Sequence, residues 1–210
     1  AAVTAAPQSP LDILFEDNHL LVVAKPAGLL VQGDATGDSC LLDHARGYLK
    51  ARYCKPGAVF VAAVHRLDRP VSGVVVLART GKAAGRLSEA FRARRVEKEY
   101  RAIVHGAPPS AAGEVKSWLS KDPRTNVVTS FQDARPGAKT AHTRYRLLGT
   151  AGGRSLLSLE PVTGRSHQLR VHARDLGCPV VGDLRYGPGP ALGAAILLHC
   201  LRVVIPHPIG

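Results

Sequence analysis

At 210 residues, with 45% hydrophobic and 21% charged residues, the chain has globular composition and enough length for one substantial core. No apolar run approaches the roughly 20 residues of a membrane-crossing helix, so no membrane partner is expected. Lys and Arg total 28 against 16 acidic residues, a formal charge of +12. That excess points to a polyanionic partner, nucleic acid first and an acidic membrane surface as the weaker rival for want of an amphipathic anchor, although a generally Arg-rich composition reads the same way.

Cys40, Cys54, Cys178 and Cys200 are scattered, without a CxxC pair or a nearby His at ligand spacing. Neither a zinc site nor a disulfide framework is expected. Reduced thiols and the lack of a secretory signal suggest an intracellular compartment, either a bacterial cytoplasm or an organelle. The sequence holds no Met, even at position 1, which reads as a processed or excised piece of a longer product.

Along the chain, residues 1–10 read as a flexible tail. Ile13-Leu14-Phe15 and residues 20–24 read as two short strands around a polar turn, closed by Lys25-Pro26-Ala27-Gly28. Residues 41–52 are expected as a helix. A strand over 59–64 then delivers His65-Arg66-Leu67-Asp68, and a further strand is expected over 74–78. Residues 82–95 form an amphipathic helical pattern with Ala83, Leu87, Ala90 and Phe91 on one face. Residues 100–104 read as a strand. Residues 143–148 and 156–159 flank Ala151-Gly152-Gly153 as a hairpin. A helix over 166–176 follows Thr163-Gly164, and a strand over 196–205 comes last. Adjacent strands outnumber helices, which predicts an α+β fold: a mixed, mainly antiparallel central sheet with flanking helices.

Three segments could carry chemistry. Asp68 ends an apolar strand, flanked by Arg66 and Arg69 and followed by Pro70 and a Ser72-Gly73 turn. A reactive carboxylate and a turn cap paired with Arg fit this setting equally well. Tyr100 opens a strand, a common place for a half-buried aromatic. Residues 79–101 hold eight basic side chains against three glutamates, a pattern shared by solvated helix faces and RNA-contacting ones. Residues 163–172 are dense in donors and enter a helix, whose N-terminus favours anions. His167 and His172 lie five apart, which is not the spacing of helical zinc ligands, so no metal is expected.

Taken together, these segments resemble the RluA family of RNA pseudouridine synthases, in the family's order along nearly the whole chain. Phe15-Glu16-Asp17 with Leu21-Val22-Val23-Ala24-Lys25-Pro26-Ala27-Gly28 looks like its opening strand pair. His65-Arg66-Leu67-Asp68-Arg69-Pro70-Val71-Ser72-Gly73 looks like the signature around its catalytic Asp. Lys98-Glu99-Tyr100 matches the segment with the active-site Tyr. Thr163-Gly164-Arg165-Ser166-His167-Gln168-Leu169-Arg170 matches its third motif. Pro179-Val180-Val181-Gly182-Asp183, Tyr186-Gly187 and Leu198-His199 follow in place. Val71 stands where the family usually has Thr, and Gln32 where it often has His.

The resemblance implies one catalytic domain over residues 11–210, without the small S4 RNA-binding domain among these residues. It implies no cofactor, no metal, and a monomer acting on ribosomal or transfer RNA. Asp68 is the implied catalytic carboxylate, with Arg165 as its ion-pair partner and Tyr100 against the target base. RNA contacts are expected from Arg66, with His65 and Arg69 beside it, and from Lys82, Arg86, Arg92, Arg94 and Arg95 on the basic helix. His167 and Arg170 of the third motif are expected to join them. A catalytically silent RNA-binding assembly factor of the same fold is the alternative.

Overall fold

The computed structural model describes residues 11–209, so the expected tail over residues 1–10 lies outside the described residues. Ten strands form one sheet: β1 (Asp12–Glu16), β2 (Leu20–Lys25), β3 (Ala62–Ala63), β4 (Ser72–Ala78), β5 (Glu97–His105), β6 (Ala112–Lys121), β7 (Val128–Phe131), β8 (Lys139–Ala151), β9 (Arg154–Pro161) and β10 (Leu198–Val204). The order is β1-β2-β4-β10-β5-β9-β8-β6-β7, with β3 pairing β4 off this path. Among the strand pairs of the described residues only β10–β4 is parallel, so the sheet is mixed and mainly antiparallel, as the sequence predicts. Three helices flank it: α1 (Leu41–Arg52), α2 (Gly81–Arg92) and α3 (Gln168–Asp175).

The apolar run of β4 is continuous because both faces are covered. Val75 and Leu77 join the main core with Leu41, Ala45 and Leu49 of α1. Val76 and Ala78 turn to the opposite face, against Ala83 and Leu87 of α2. Local chemistry sets the helix ends. The Thr80 hydroxyl accepts the Ala83 amide at the start of α2. The helix stops at Arg92, short of the expected 95, because Arg94 takes a left-handed backbone (φ 56). The Arg95 amide then returns to the Ala90 carbonyl.

The strand expected over 59–64 shortens to two residues for a similar reason. Where Val64 would continue the ladder, the His65 Nε2 atom accepts the Val76 amide at 2.9 Å. A side chain thus replaces a ladder bond and lets the chain peel away into the Asp68 loop. The hairpin at Gly152-Gly153 forms as expected, with both glycines at positive φ (57 and 72). The β6–β7 hairpin has no counterpart in the sequence reading. One of its inward residues is Ser117, whose hydroxyl meets buried His172, so the apolar alternation that marks a strand is weak there.

Candidate active site

A cleft of about 1220 Å³ opens beside Asp68. Its walls are the loop over residues 63–71, the α2–β5 turn, the β6–β7 turn and the segment entering α3. Nine Lys or Arg side chains line it against two carboxylates, Asp34 and Asp68. Such a concentration of one sign in a concave site focuses a positive potential where a polyanion would enter.

The Asp68 side chain is 27% exposed. Its Oδ2 accepts Arg170 Nη1 at 3.1 Å, and among the described residues no hydrogen bond reaches Oδ1. Arg170 is itself 5% exposed. Its Nε and Nη2 donate to both oxygens of buried Asp183 at 2.7 and 2.8 Å, a bidentate fork that fixes the guanidinium plane. The Tyr186 ring lies 5.1 Å from its centre. Burial works against the Arg170 charge, but the two carboxylates outweigh it and raise its pKa.

This geometry corrects the expected ion pair, because Arg170 and not Arg165 holds Asp68. Arg165 lines the cleft, donating through Nε to the Thr140 carbonyl at 3.0 Å, with no carboxylate within ion-pair distance among the described residues. The same correction removes Arg170 from the RNA-facing set, since its donors are directed into the protein. Residue spacing explains the difference. α3 begins at Gln168, and Gln168 is committed to Thr163, Thr143 and the backbone of Arg165 and His142. Arg165 therefore stays on the entering loop, while Arg170 sits on the buried face of the helix.

Tyr100 lines the cleft from β5 and is 7% exposed. Burial first, then Cys200 and Asp68, push its pKa well above the usual tyrosine range, so its resting form is the neutral phenol. Lys98, two residues earlier, also lines the cleft, and burial lowers its pKa. Lys25 lies beneath the Asp68 loop, 1% exposed. Its ammonium donates to the carbonyls of Pro26, Leu29 and Arg69 at 2.9, 2.7 and 3.2 Å. Burial lowers its pKa to about 8, with Asp68 opposing the shift.

Of the expected RNA contacts, Arg66, Arg69, Arg92 and Arg94 line the cleft. Arg69 is also paired with Asp38 at 2.8 Å. His65 lines it too, with its ring stacked on Phe91 at 5.1 Å and its Nε2 taken by Val76. Lys82, Arg86 and Arg95 are exposed but stand outside the cleft, and Arg86 donates to the Pro208 carbonyl at 2.6 Å. His167 lines the cleft, 3.9 Å from Asp68. The sequence reading assigned no role to Lys25, Lys98, Lys121, Asp183, Arg185 or Tyr186. Asp183 had a readable signal, an acid closing the apolar run Pro179-Val180-Val181.

Residues 19–175 match a family model described as RNA pseudouridylate synthase. The chain belongs to this family. It is 35% identical over 204 residues to an "Uncharacterized RNA pseudouridine synthase YhcT" of Bacillus subtilis (strain 168), covering 95% of this chain and 65% of that protein. It is 37% identical over 220 residues to "Ribosomal large subunit pseudouridine synthase D" of Yersinia pestis, covering 97% and 66%. A solved structure, "Human RNA Pseudouridylate Synthase Domain Containing 4", superposes with a TM-score of 0.78 at 29% identity, covering 93% of this chain and 84% of that one. The chain thus spans about two thirds of the length of these two bacterial pseudouridine synthases. The fold of the pseudouridine synthases is the α+β class expected from the sequence.

Proposed function

We propose that this chain carries the catalytic unit of an RNA pseudouridine synthase that isomerises specific uridines in structured RNA, ribosomal RNA before transfer RNA. The reading rests above all on Asp68. One of its oxygens is held by a buried guanidinium, while the other is unengaged among the described residues in a strongly positive cleft. The preference for ribosomal RNA follows the name of the Yersinia pestis relative.

The reaction breaks the N1–C1′ bond of uridine, turns the base and rejoins it to the same carbon through C5. The proton on C5 is lost and N1 gains one, so no redox partner is needed. The difficult event is departure of the base from C1′. A carboxylate beside C1′ assists it by bonding to the electron-poor carbon or by stabilising its charge. Arg170 keeps the Asp68 carboxylate aimed for either route. Tyr100 packs against the base as a neutral phenol.

The target nucleotide leaves its stack to enter the cleft, at a cost of a few kcal/mol that is smallest in loops and single strands. Arg66 reorders the vacated stack. Arg92 and Arg94, together with Lys121 and Arg185 across the cleft, hold the flanking phosphates.

The test is tritium release from [5-³H]uridine-labelled ribosomal RNA by the parent chain and by Asp68→Asn. Release by the parent alone supports the synthase and the role of Asp68. RNA binding without release from either chain favours the silent assembly factor. Release by the Asn variant at the parent rate removes Asp68 from the chemistry.

A further inference from the structure

His167 precedes α3 with a left-handed backbone, φ 52 and ψ 13. A residue with a Cβ pays about 1–2 kcal/mol for that conformation, and such strain persists where the surroundings impose it. Here the imidazole is anchored at one end and stands near Asp68 at the other. Nδ1 lies 2.7 Å from the Tyr186 hydroxyl, and Nε2 lies 3.9 Å from Asp68 Oδ2, the oxygen that Arg170 holds.

The hydrogen bonds decide which nitrogen carries the proton. The Tyr186 oxygen already accepts the Val128 amide at 2.8 Å. A phenol has one proton to give, and among the described residues the only acceptor hydrogen-bonded to it is His167 Nδ1. Tyr186 therefore donates to Nδ1, and the neutral ring carries its own proton on Nε2, on the Asp68 side. No hydrogen bond among the described residues engages that Nε2–H.

We propose that His167 is a positioning residue for Asp68. Its Nε2–H, set by Tyr186, closes on Oδ2 beside Arg170 when RNA fills the cleft, which leaves Oδ1 as the oxygen that acts on the nucleoside. This rests on the synthase reading above. Hydrogen bonds of this kind are commonly long in an unliganded site and tighten in the complex. The charged groups around the ring keep it neutral. Burial lowers its pKa, Arg170, Arg185 and Lys121 add repulsion, and Asp68 opposes them. A neutral ring has one donor, and Tyr186 determines where it points.

The experiment combines the histidine ¹⁵N spectrum of the RNA-free protein with kcat and KM for three variants. The parent His167 should show the Nε2–H tautomer near neutral pH, and Tyr186→Phe should show mixed tautomers. A donor to a charged acceptor is worth about 1.5–3 kcal/mol, so His167→Ala should lower kcat roughly 10- to 100-fold while KM changes by less than about 2-fold. His167→Gln, whose amide offers a donor near the Nε2 position, should recover most of that loss. Thermal unfolding of each variant separates misfolding from misplacement. An Nδ1–H tautomer or an imidazolium in the parent overturns the proposal, as does an Ala variant with unchanged kcat or a Gln variant as slow as Ala. If the parent forms no pseudouridine, the functional reading fails, while the spectrum still decides where the donor points.

Discussion

Replacing Arg170 with Met separates the structural work of the Arg170–Asp183 fork from the catalytic work proposed for the Arg170–Asp68 bond. Asp183 is 1% exposed and takes two of its hydrogen bonds from Arg170. Arg170→Met leaves that carboxylate buried without its counter-charge, which costs about 3–5 kcal/mol. For a chain of this size that is a fall of roughly 10 °C in Tm. Adding Asp183→Leu removes the stranded charge, and the double variant should return to within about 1–2 kcal/mol of the parent, since apolar substitutes for buried ion pairs are often neutral. Turnover should not return with stability. Asp68 has lost a charge-assisted donor worth about 2–3 kcal/mol, so both variants should run about 100-fold slow where they are folded. Urea unfolding followed by circular dichroism gives the stabilities, and pseudouridine formation in excess RNA gives the rates. Arg165→Met should stay within about 0.5 kcal/mol of the parent in stability and weaken RNA binding. The reasoning fails if Arg170→Met unfolds within about 1 kcal/mol of the parent, or if the double variant regains turnover.

Three further outcomes follow from the packing. Burial lowers the His172 pKa to about 4, below its unfolded value near 6.5. The stability it contributes is present above about 6.5 and lost as pH falls toward 4, by about 1.4 kcal/mol per unit and at most about 3.5 kcal/mol in all. His172→Asn should flatten the acid limb of stability against pH by about one proton. Lys25→Met strips a donor from three carbonyls and should cost about 2–4 kcal/mol in urea unfolding. With the Lys25 pKa lowered to about 8, the parent should gain stability as pH rises from there toward about 10.4, and the Met variant should lack that rise. Gly73→Ala would place a Cβ 2.5 Å from the Cys200 nitrogen at φ 122, and it should cost about 3 kcal/mol or more by prising β10 from β4. A Tm unchanged by that substitution would mean the parallel contact is not as close as described.

Much of this was readable from the sequence because the information is local. The α1 span, the paired strands over β8 and β9, and the place of Asp68 after an apolar strand all depend on neighbouring residues. The sequence points to Arg165 rather than Arg170 because two arginines share one motif. Which of them turns inward depends on Gln168 opening the helix and on Asp183 waiting 13 residues away. The β6–β7 hairpin leaves little trace in the sequence because it meets the protein partly through polar contacts, the Ser117–His172 bond and the Val128 amide on Tyr186. Hydropathy does not register such contacts.

The position of β10 sets an order of events during synthesis. It enters the centre of the sheet, antiparallel to β5 on one side and parallel to β4 on the other, and so joins the β1-β2-β4 part to the β5-β9-β8-β6-β7 part. A nascent chain that has emerged only as far as β9 holds two partial sheets with open inner edges. Asp68 belongs to the first part, while Tyr100 and Arg170 belong to the second. Until β10 is made, the edges that must close the cleft are exposed to other chains, and Tyr100 and Arg170 lie apart from Asp68. Ribosomes stalled before β10 should carry chains that aggregate readily and do not yet modify RNA.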